Sequence, residues 1–532
     1  MTSLVPASVL KAMLNDGAEL ALIDVREEGE FGRGHLLFAC NLPLSRIELR
    51  IDALVPRRPT RLVLCDADDG LAQRAAIRLQ QLGYDNIALL AGGVAAWRGA
   101  GYELFSGINV PSKAFGEFVE HHDETPRLTA EEVKAKLDAG TDMVILDSRP
   151  MSEYRVMNIP DGIDCPGAEL VLRVHDVAPR PETLVVVNCA GRTRSIIGAQ
   201  SLINAGIANP VVALKDGTMG WHLAGLKLEK GQSKHAPNPS VAGRGQAQAA
   251  AARVAKRFGV RRIDRATLDR FAREDKERTL YVFDVRTPEE FLAGHLAGSR
   301  SAPGGQLVQA TDTFAATRNA RIVLVDDDGV RATMTASWLI QMGLDQVFVL
   351  DDGVAAAALE VGPEKPRVLG LGDAEVASIS PKELAAALDK GACVVVDLDT
   401  SLNYRAGHIP GAWFAIRSRF AAAAEKLPQF SLTVVTSSDG ILAQLAAPEL
   451  AALRGGAVKV LRGGTASWRE AGLPLAAGEQ HLADPPDDVF HRPYDRDEGI
   501  EQAMRDYLSW EVDLVRQIER DGDARFRSFP AA

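Results

Sequence analysis

Short apolar runs, each closed by an aspartate, punctuate the chain at four places: LALID at 20–24, MVILD at 143–147, LYVFD at 280–284 and CVVVD at 393–397. Runs of this length, bounded by polar turns, predict strands buried on both faces. A short amphipathic segment precedes each run and predicts a helix. Roughly 70 residues after each aspartate comes a second run with a glycine turn: LLAGGVAAW at 89–97, ALKDGTMGW at 213–221, VLDDGVAAA at 349–357 and VLRGGTASW at 460–468. Both anchors recur at intervals of roughly 110 to 140 residues, so one domain-sized unit is written four times. Strands alternate with helical segments inside each unit. That pattern predicts an α/β fold, a mainly parallel sheet with helices on both faces, whose ligands sit at the carboxyl ends of the strands.

The predicted units span 1–104, 127–231, 262–363 and 372–477. Segments 105–126 and 364–371 read as short joints, and 232–261, a mixture of polar residues, glycine, proline and alanine, as a longer one. The arrangement is two plus two. From 478 to 532 a tail opens with ADPPDD and continues into DEGIEQAMRDYLSWEVDLVRQIERDG, whose apolar spacing predicts a helix packed against the domains.

Composition narrows the function classes. The chain has 532 residues, 46% hydrophobic and 25% charged, with a net charge of −11, so globular cores are expected and a broad basic surface for nucleic acid is not. No apolar run approaches the roughly 18 residues of a membrane span, and the first residues carry no basic leader. Five cysteines, Cys40, Cys65, Cys165, Cys189 and Cys393, are odd in number and widely spaced. They suit a reducing, cytoplasmic setting better than a disulfide framework, and without a C-x-x-C pair they suggest no metal site.

The most informative segment is LVVVNCAGRTRSIIGAQSL, 184–202. Leu184 to Val187 read as a strand, the next residues as a turn, and Ser195 onward as a helix. A thiol there faces a ring of backbone N–H groups at a helix N-terminus, which favours thiolate over thiol. Cys189 is therefore the expected nucleophile. The amides of Ala190, Gly191, Arg192, Thr193, Arg194 and Ser195 form its ring, and the Arg192 and Arg194 side chains attract an anionic substrate. Asp147 is expected to accept hydrogen bonds from turn amides. Lys215 is placed as a supporting cation, although a solvated lysine is the plainer reading. Arg149 and Glu153, four apart like Arg26 with Glu30 and Arg286 with Glu290, read as architectural ion pairs; the fourth unit changes both, to Asp399 and Asn403.

Aligned on Cys65, Val325 and Thr436, the other units offer CDADDGLA, VDDDGVRA and TSSDGILA where the second has CAGRTRS. Carboxylates beside Cys65 oppose a thiolate and repel an anion. His35, His295 and His408 share one position, but the second unit has Asn158 there, so they read as turn-stabilising rather than as general bases. Trp97, Trp221 and Trp468 read as core plugs, and Cys393 as a small buried hydrophobe.

The set D-x-R-x-x-x-E from Asp147, C-x-x-x-x-R-S from Cys189 and L-x-G-G-x-x-x-W from Leu90 resembles the motifs of rhodanese domains. The chain resembles a four-domain rhodanese sulfurtransferase from about residue 3 to 477. The resemblance implies that Cys189 takes the outer sulfur of a small anionic donor such as thiosulfate, that sulfite leaves, and that the persulfide passes to cyanide or a thiol acceptor. It implies no metal and no organic cofactor. Units one, three and four are then inactive copies, and Cys165, after the turn near the cleft, is a candidate to resolve the persulfide. Two other classes compete. A Cys-dependent phosphatase uses C-x5-R, whereas Cys189 to Arg194 is C-x4-R with Asn188 in place of a preceding histidine; the smaller ring suits sulfur. A non-enzymatic scaffold fits the three silent units. A protein acceptor and a homo-oligomer through the tail helix both remain open.

Overall fold

The computed structural model describes residues 2–355, 358–372 and 376–530. The close of the third glycine turn, at 356 and 357, and the start of the fourth unit, at 373–375, lie outside these, as do 1, 531 and 532. Each unit holds one sheet of five parallel strands, with its longest strands at the centre. In the second unit the order is Arg127–Leu128, Val211–Leu214, Leu184–Asn188, Met143–Asp147, Ile163–Asp164. The pleat sorts side chains to two faces. Leu146, Val185 and Val187 pack under the helices Leu170–Val177 and Thr193–Ala205, while Ile145 and Val186 face the helix Ala130–Asp138 and Trp221. Burying such a valine is worth about 1.5–3 kcal/mol, and both faces are covered, so these strands read as unbroken apolar runs.

The unit sheets are linked. Thr317–Arg318 of the third unit adds an antiparallel strand to the first unit's sheet, Thr317 opposite Ala21. The three tryptophans are buried plugs whose indole N–H donates to a carbonyl six residues on, at Glu103, Lys227 and Pro474. The three histidines stack on Phe31, Phe291 and Tyr404 at 3.8, 3.8 and 3.9 Å, as parts of turns.

Several expectations need correction. The joint 232–261 contains an 18-residue helix, Val241–Phe258, capped by the Ser240 hydroxyl and ended by Gly259 at φ 66°. Its Ala247, Ala250, Ala251, Val254 and Phe258 are buried between units two and three, so an alanine-rich stretch became a packed helix instead of a tether. The joint 105–126 likewise holds the helix Val110–Asp123, buried along Val110, Ala114, Phe115 and Val119. The tail does form a helix, Ile500–Asp521.

The i to i+4 ion pairs do not form. Arg26, Arg149 and Arg286 instead turn back onto the aspartates that end their strands, Asp24, Asp147 and Asp284. Each also donates to a carbonyl eight residues on, at Gly34, Met157 and Gly294. The strand end and the following turn are thereby tied by one buried guanidinium. The fourth unit lacks it, and burial pushes Asp397 up to about 7.

The loop alignment shifts by one residue. Strand register places Cys65, Asn188, Val325 and Thr436 opposite the four aspartates. The counterparts of Cys189 are therefore Asp66, Asp326 and Ser437, and Cys65 matches Asn188.

Between units two and three, the fully buried Arg331 bonds Glu169 at 2.9 Å, Glu290 at 2.6 Å and Asp328 at 3.1 Å. Arg331→Met removes the cation shared by Glu169, Glu290 and Asp328, of which Glu169 and Asp328 are buried. We expect a loss of about 3–5 kcal/mol in urea unfolding, far above the effect of a surface Arg→Met control.

Candidate active site

Cys189 sits just past the central strand Leu184–Asn188, before the helix Thr193–Ala205. The glycine turn clamps its loop: the Thr218 amide donates to the Cys189 carbonyl at 2.9 Å and the Met219 amide to the Ala190 carbonyl at 3.0 Å. Gly217 is left-handed, at φ +56°, and a Cβ there would collide with the Cys189 carbonyl, which explains a glycine at this place in every unit. The Ser195 hydroxyl closes the loop on the Arg192 carbonyl at 2.8 Å. The Arg194 guanidinium and Ser195 are the neighbours that favour the ionised form of the Cys189 thiol.

The same ring exists elsewhere with other contents. Asp66 fills it in unit one, accepting from the amides of Asp68 and Ala72, both at 2.9 Å. Asp326 fills it in unit three, accepting from Gly329 at 3.0 Å and Ala332 at 2.9 Å. In unit four the Ser437 hydroxyl accepts from Ala443 at 3.3 Å. Only unit two has a thiol at this position.

Electrostatics separate the thiols. Burial pushes Cys189 up, and this outweighs the downward pull of the Arg194 guanidinium and of Ser195, so the expected outright preference for thiolate does not hold in the closed loop. Its first charged neighbour is nevertheless a cation. Burial pushes Cys65 and Cys165 well above the ordinary thiol value, and their first charged neighbours are carboxylates, Asp24 and Glu169. Cys165 lies in the core cluster of its unit and lines no part of the cleft below, so its role as a resolving thiol has no geometric support.

The two arginines differ. Arg194 lies against the cleft, held bidentately by Glu153 at 2.8 and 2.7 Å, with Gln306 of unit three at 3.3 Å. Arg194 and its neighbours pull Glu153 down to about 2 despite burial. Arg192 is turned away onto Glu117, Glu120 and Asp216, which ties the loop to the helix Val110–Asp123 and to the glycine turn. Three carboxylates cancel its charge, so it positions the loop rather than drawing an anion. Lys215 is exposed and lines no part of the cleft. Asp147 accepts one turn amide, from Arg149 at 3.1 Å, together with that guanidinium and Asn188 Nδ2 at 2.9 Å.

A cleft of about 540 Å³ opens over Ala190, Gly191 and the sulfur. Its walls come from the whole chain: Glu28 and Arg50 of unit one, Lys113 of the connecting helix, Gln306 and Asp312 of unit three, Leu402 of unit four, and Arg492, Tyr494 and Glu511 of the tail. Arg492 is exposed to the cleft and makes no ion pair among the described residues. The tail turn Pro493–Asp495 places Tyr494 beside it, near Arg194. Glu511 is buried against the loop, accepting from Thr193 at 3.2 Å and Tyr507 at 3.1 Å; burial pushes it up to about 7. Lys113 faces it, pushed down to about 8 by burial. Sequence reasoning missed all of these, because residues some 300 positions apart share no local pattern.

Comparison with known proteins follows the same lines. The family model for the rhodanese-like domain matches residues 6–100, 129–224, 267–359 and 380–471. A thiosulfate sulfurtransferase, GlpE, of Pseudomonas aeruginosa strain LESB58 is 34% identical over 82 residues, 15% of this chain and 73% of that protein. An uncharacterized Bacillus subtilis protein, YqhL, is 40% identical over 78 residues, 15% of this chain and 60% of its own. The crystal structure of a thiosulfate sulfurtransferase from Pseudomonas aeruginosa superposes with a TM-score of 0.95 at 51% identity, covering 99% of this chain and 100% of the other.

Removing the Arg194 cation must raise the thiol further. We expect Arg194→Met to slow iodoacetamide alkylation of Cys189 at pH 8 about tenfold, equivalent to about one pKa unit, with site-resolved mass spectrometry as the readout.

Proposed function

The chain belongs to the rhodanese family and is a sulfurtransferase, and from that premise we propose that it moves sulfane sulfur from thiosulfate through a persulfide on Cys189 to cyanide or a thiol acceptor. The observation that supports this reading is a cysteine, in one unit of four, at the loop position that carboxylates and a hydroxyl fill in the others. The Cys189 thiolate attacks the outer sulfur of the donor. The donor S–S bond breaks, its electron pair leaves with sulfite, and Cys189 carries the new sulfur as a persulfide anion. The resting Cys189 is a thiol that loses its proton for the attack, and the amides of residues 190–195 then hold the persulfide charge at the same place. The acceptor then attacks the outer persulfide sulfur and returns Cys189 to thiolate.

The donor's sulfonate end meets Arg492, which makes no ion pair among the described residues, while Arg194, held by Glu153, flanks the opening to Cys189 beside Tyr494. Arg149 and Asp147 support the strand end from beneath and do not meet substrate. Units one, three and four act as walls, which gives the silent copies a role without chemistry of their own. The tail helix packs on its own chain, along the helix Val110–Asp123, in completing the cleft. Among the described residues no helix is long and apolar enough to cross a membrane. All five cysteines are free and buried, which supports a cytoplasmic setting.

Exposure to thiosulfate is expected to add the mass of one sulfur atom per chain, read by intact mass spectrometry. Cys189→Ala should abolish the gain while Cys65→Ala and Cys165→Ala keep it; label retained in Cys189→Ala contradicts the assignment. Arg492→Gln is expected to raise the KM for thiosulfate about tenfold with kcat within about twofold, the loss of one charge-assisted contact to donor. A panel of thiosulfate, 3-mercaptopyruvate and an aryl phosphate separates donor classes, with no phosphate release expected.

A further inference from the structure

Away from the cleft, Arg318 lines a cavity without a counter-ion among the described residues. Arg318 ends the strand that unit three lends to the sheet of unit one, and its guanidinium lies over the Phe38 ring, 3.5 Å from the centroid. Among the described residues it forms no ion pair, and its Nε is buried without a hydrogen-bond partner. The carboxylate that acts on it is Asp523, which is already held by Lys11 at 2.8 Å and Asn15 at 2.8 Å. Arg525 adds a second positive charge nearby. The Arg318 side chain is half-buried, with its Nε unpartnered, so its planar fork has donors free for an anion.

The space beside it suits such a ligand. A cavity of about 130 Å³ is bounded by Leu14 and Phe38 of unit one, Ile322 and Met342 of unit three, Phe526 of the tail, and Arg318 itself. These apolar side chains share the wall with polar ones, among them Asp312, Asn319, Asp345, Gln346 and Arg525. An inorganic anion would satisfy the charge and leave the apolar side chains unused; an uncharged hydrocarbon would do the reverse.

We propose that this cavity is a second ligand site, independent of sulfur transfer, for a small monocarboxylate with an apolar body, an aromatic or short aliphatic acid. The carboxylate takes the fork of Arg318 in a bidentate pair, and the hydrocarbon lies against Phe38, Met342 and Phe526. Asp312 borders both this cavity and the catalytic cleft, so the two sites share a wall.

Isothermal titration of the full chain with benzoate and with hexanoate tests the proposal, with sulfate as the charge-only control. Saturable binding of at least one acid, one per chain, is expected, with sulfate at least about tenfold weaker. Arg318→Met should weaken acid binding about tenfold or more while leaving the melting temperature of the ligand-free protein unchanged or higher, since an unpaired charge has been removed. A melting temperature that falls sharply would mark Arg318 as a structural residue and overturn the proposal. Met342→Trp, which fills the cavity and keeps the arginine, provides a second route to lost binding should Arg318→Met not fold. Cys189→Ala must bind the acid as the native protein does, which keeps this site separate from any failure of the sulfur chemistry. No saturable binding of either acid, binding retained in both cavity variants, or sulfate binding as well as the acids do would each overturn it.

Discussion

A ring of backbone amides at the start of a helix demands an acceptor, and that demand organises all four units. Left empty and buried, such donors cost about 1–3 kcal/mol each. Units one and three meet the demand with carboxylates, Asp66 and Asp326, and unit four with the Ser437 hydroxyl. Those occupants are fixed parts of the fold. A sulfur at the same position is different, because in the proposed reaction it also gains and gives up a second sulfur. The occupant of one register position therefore separates carboxylate and hydroxyl plugs from a thiol, while the left-handed glycine behind the loop is the same in each copy.

Charge placement around the ring follows from what each arginine has to neutralise. The strand-end aspartate claims the nearest arginine, Arg149 in unit two, so Glu153 is left free to hold Arg194 over the sulfur. Unit three preserves the same geometry, with Arg331 on Glu290, although its ring holds a carboxylate. The pairing therefore does not depend on a thiol in the ring. What unit two adds is a cleft whose walls come from every other unit and from the tail, and an arginine there, Arg492, with no carboxylate of its own.

Much of this was legible in the chain. The repeat, the parallel sheets and the cysteine loop follow from apolar runs ending in aspartate and from glycine turns at a common period. Three things were not. The loop alignment slipped by one residue, because Cys65 looks like a counterpart of Cys189 until strand register sets it opposite Asp24, the place of Asn188. The joint holding Val241–Phe258 looked like a linker because alanine was counted as spacing rather than as the strongest helix former, although Ser240 and Gly259 mark both ends. The Arg149–Glu153 spacing of four suggested a pair, and only the burial of Asp147 shows why the arginine turns the other way. Arg492, Tyr494 and Glu511 lie too far along the chain for any local pattern to join them to Cys189.

The central claim is that the amide ring of unit two holds first a thiolate and then a persulfide in one place. The most direct measurement is a crystal structure of the protein after exposure to thiosulfate. The account predicts one additional sulfur bonded to Cys189 Sγ, within hydrogen-bonding distance of the amides of residues 190–195, with Arg194 still on Glu153. An unmodified Cys189 in crystals whose protein has gained sulfur, or an added sulfur lying outside the ring, would contradict it.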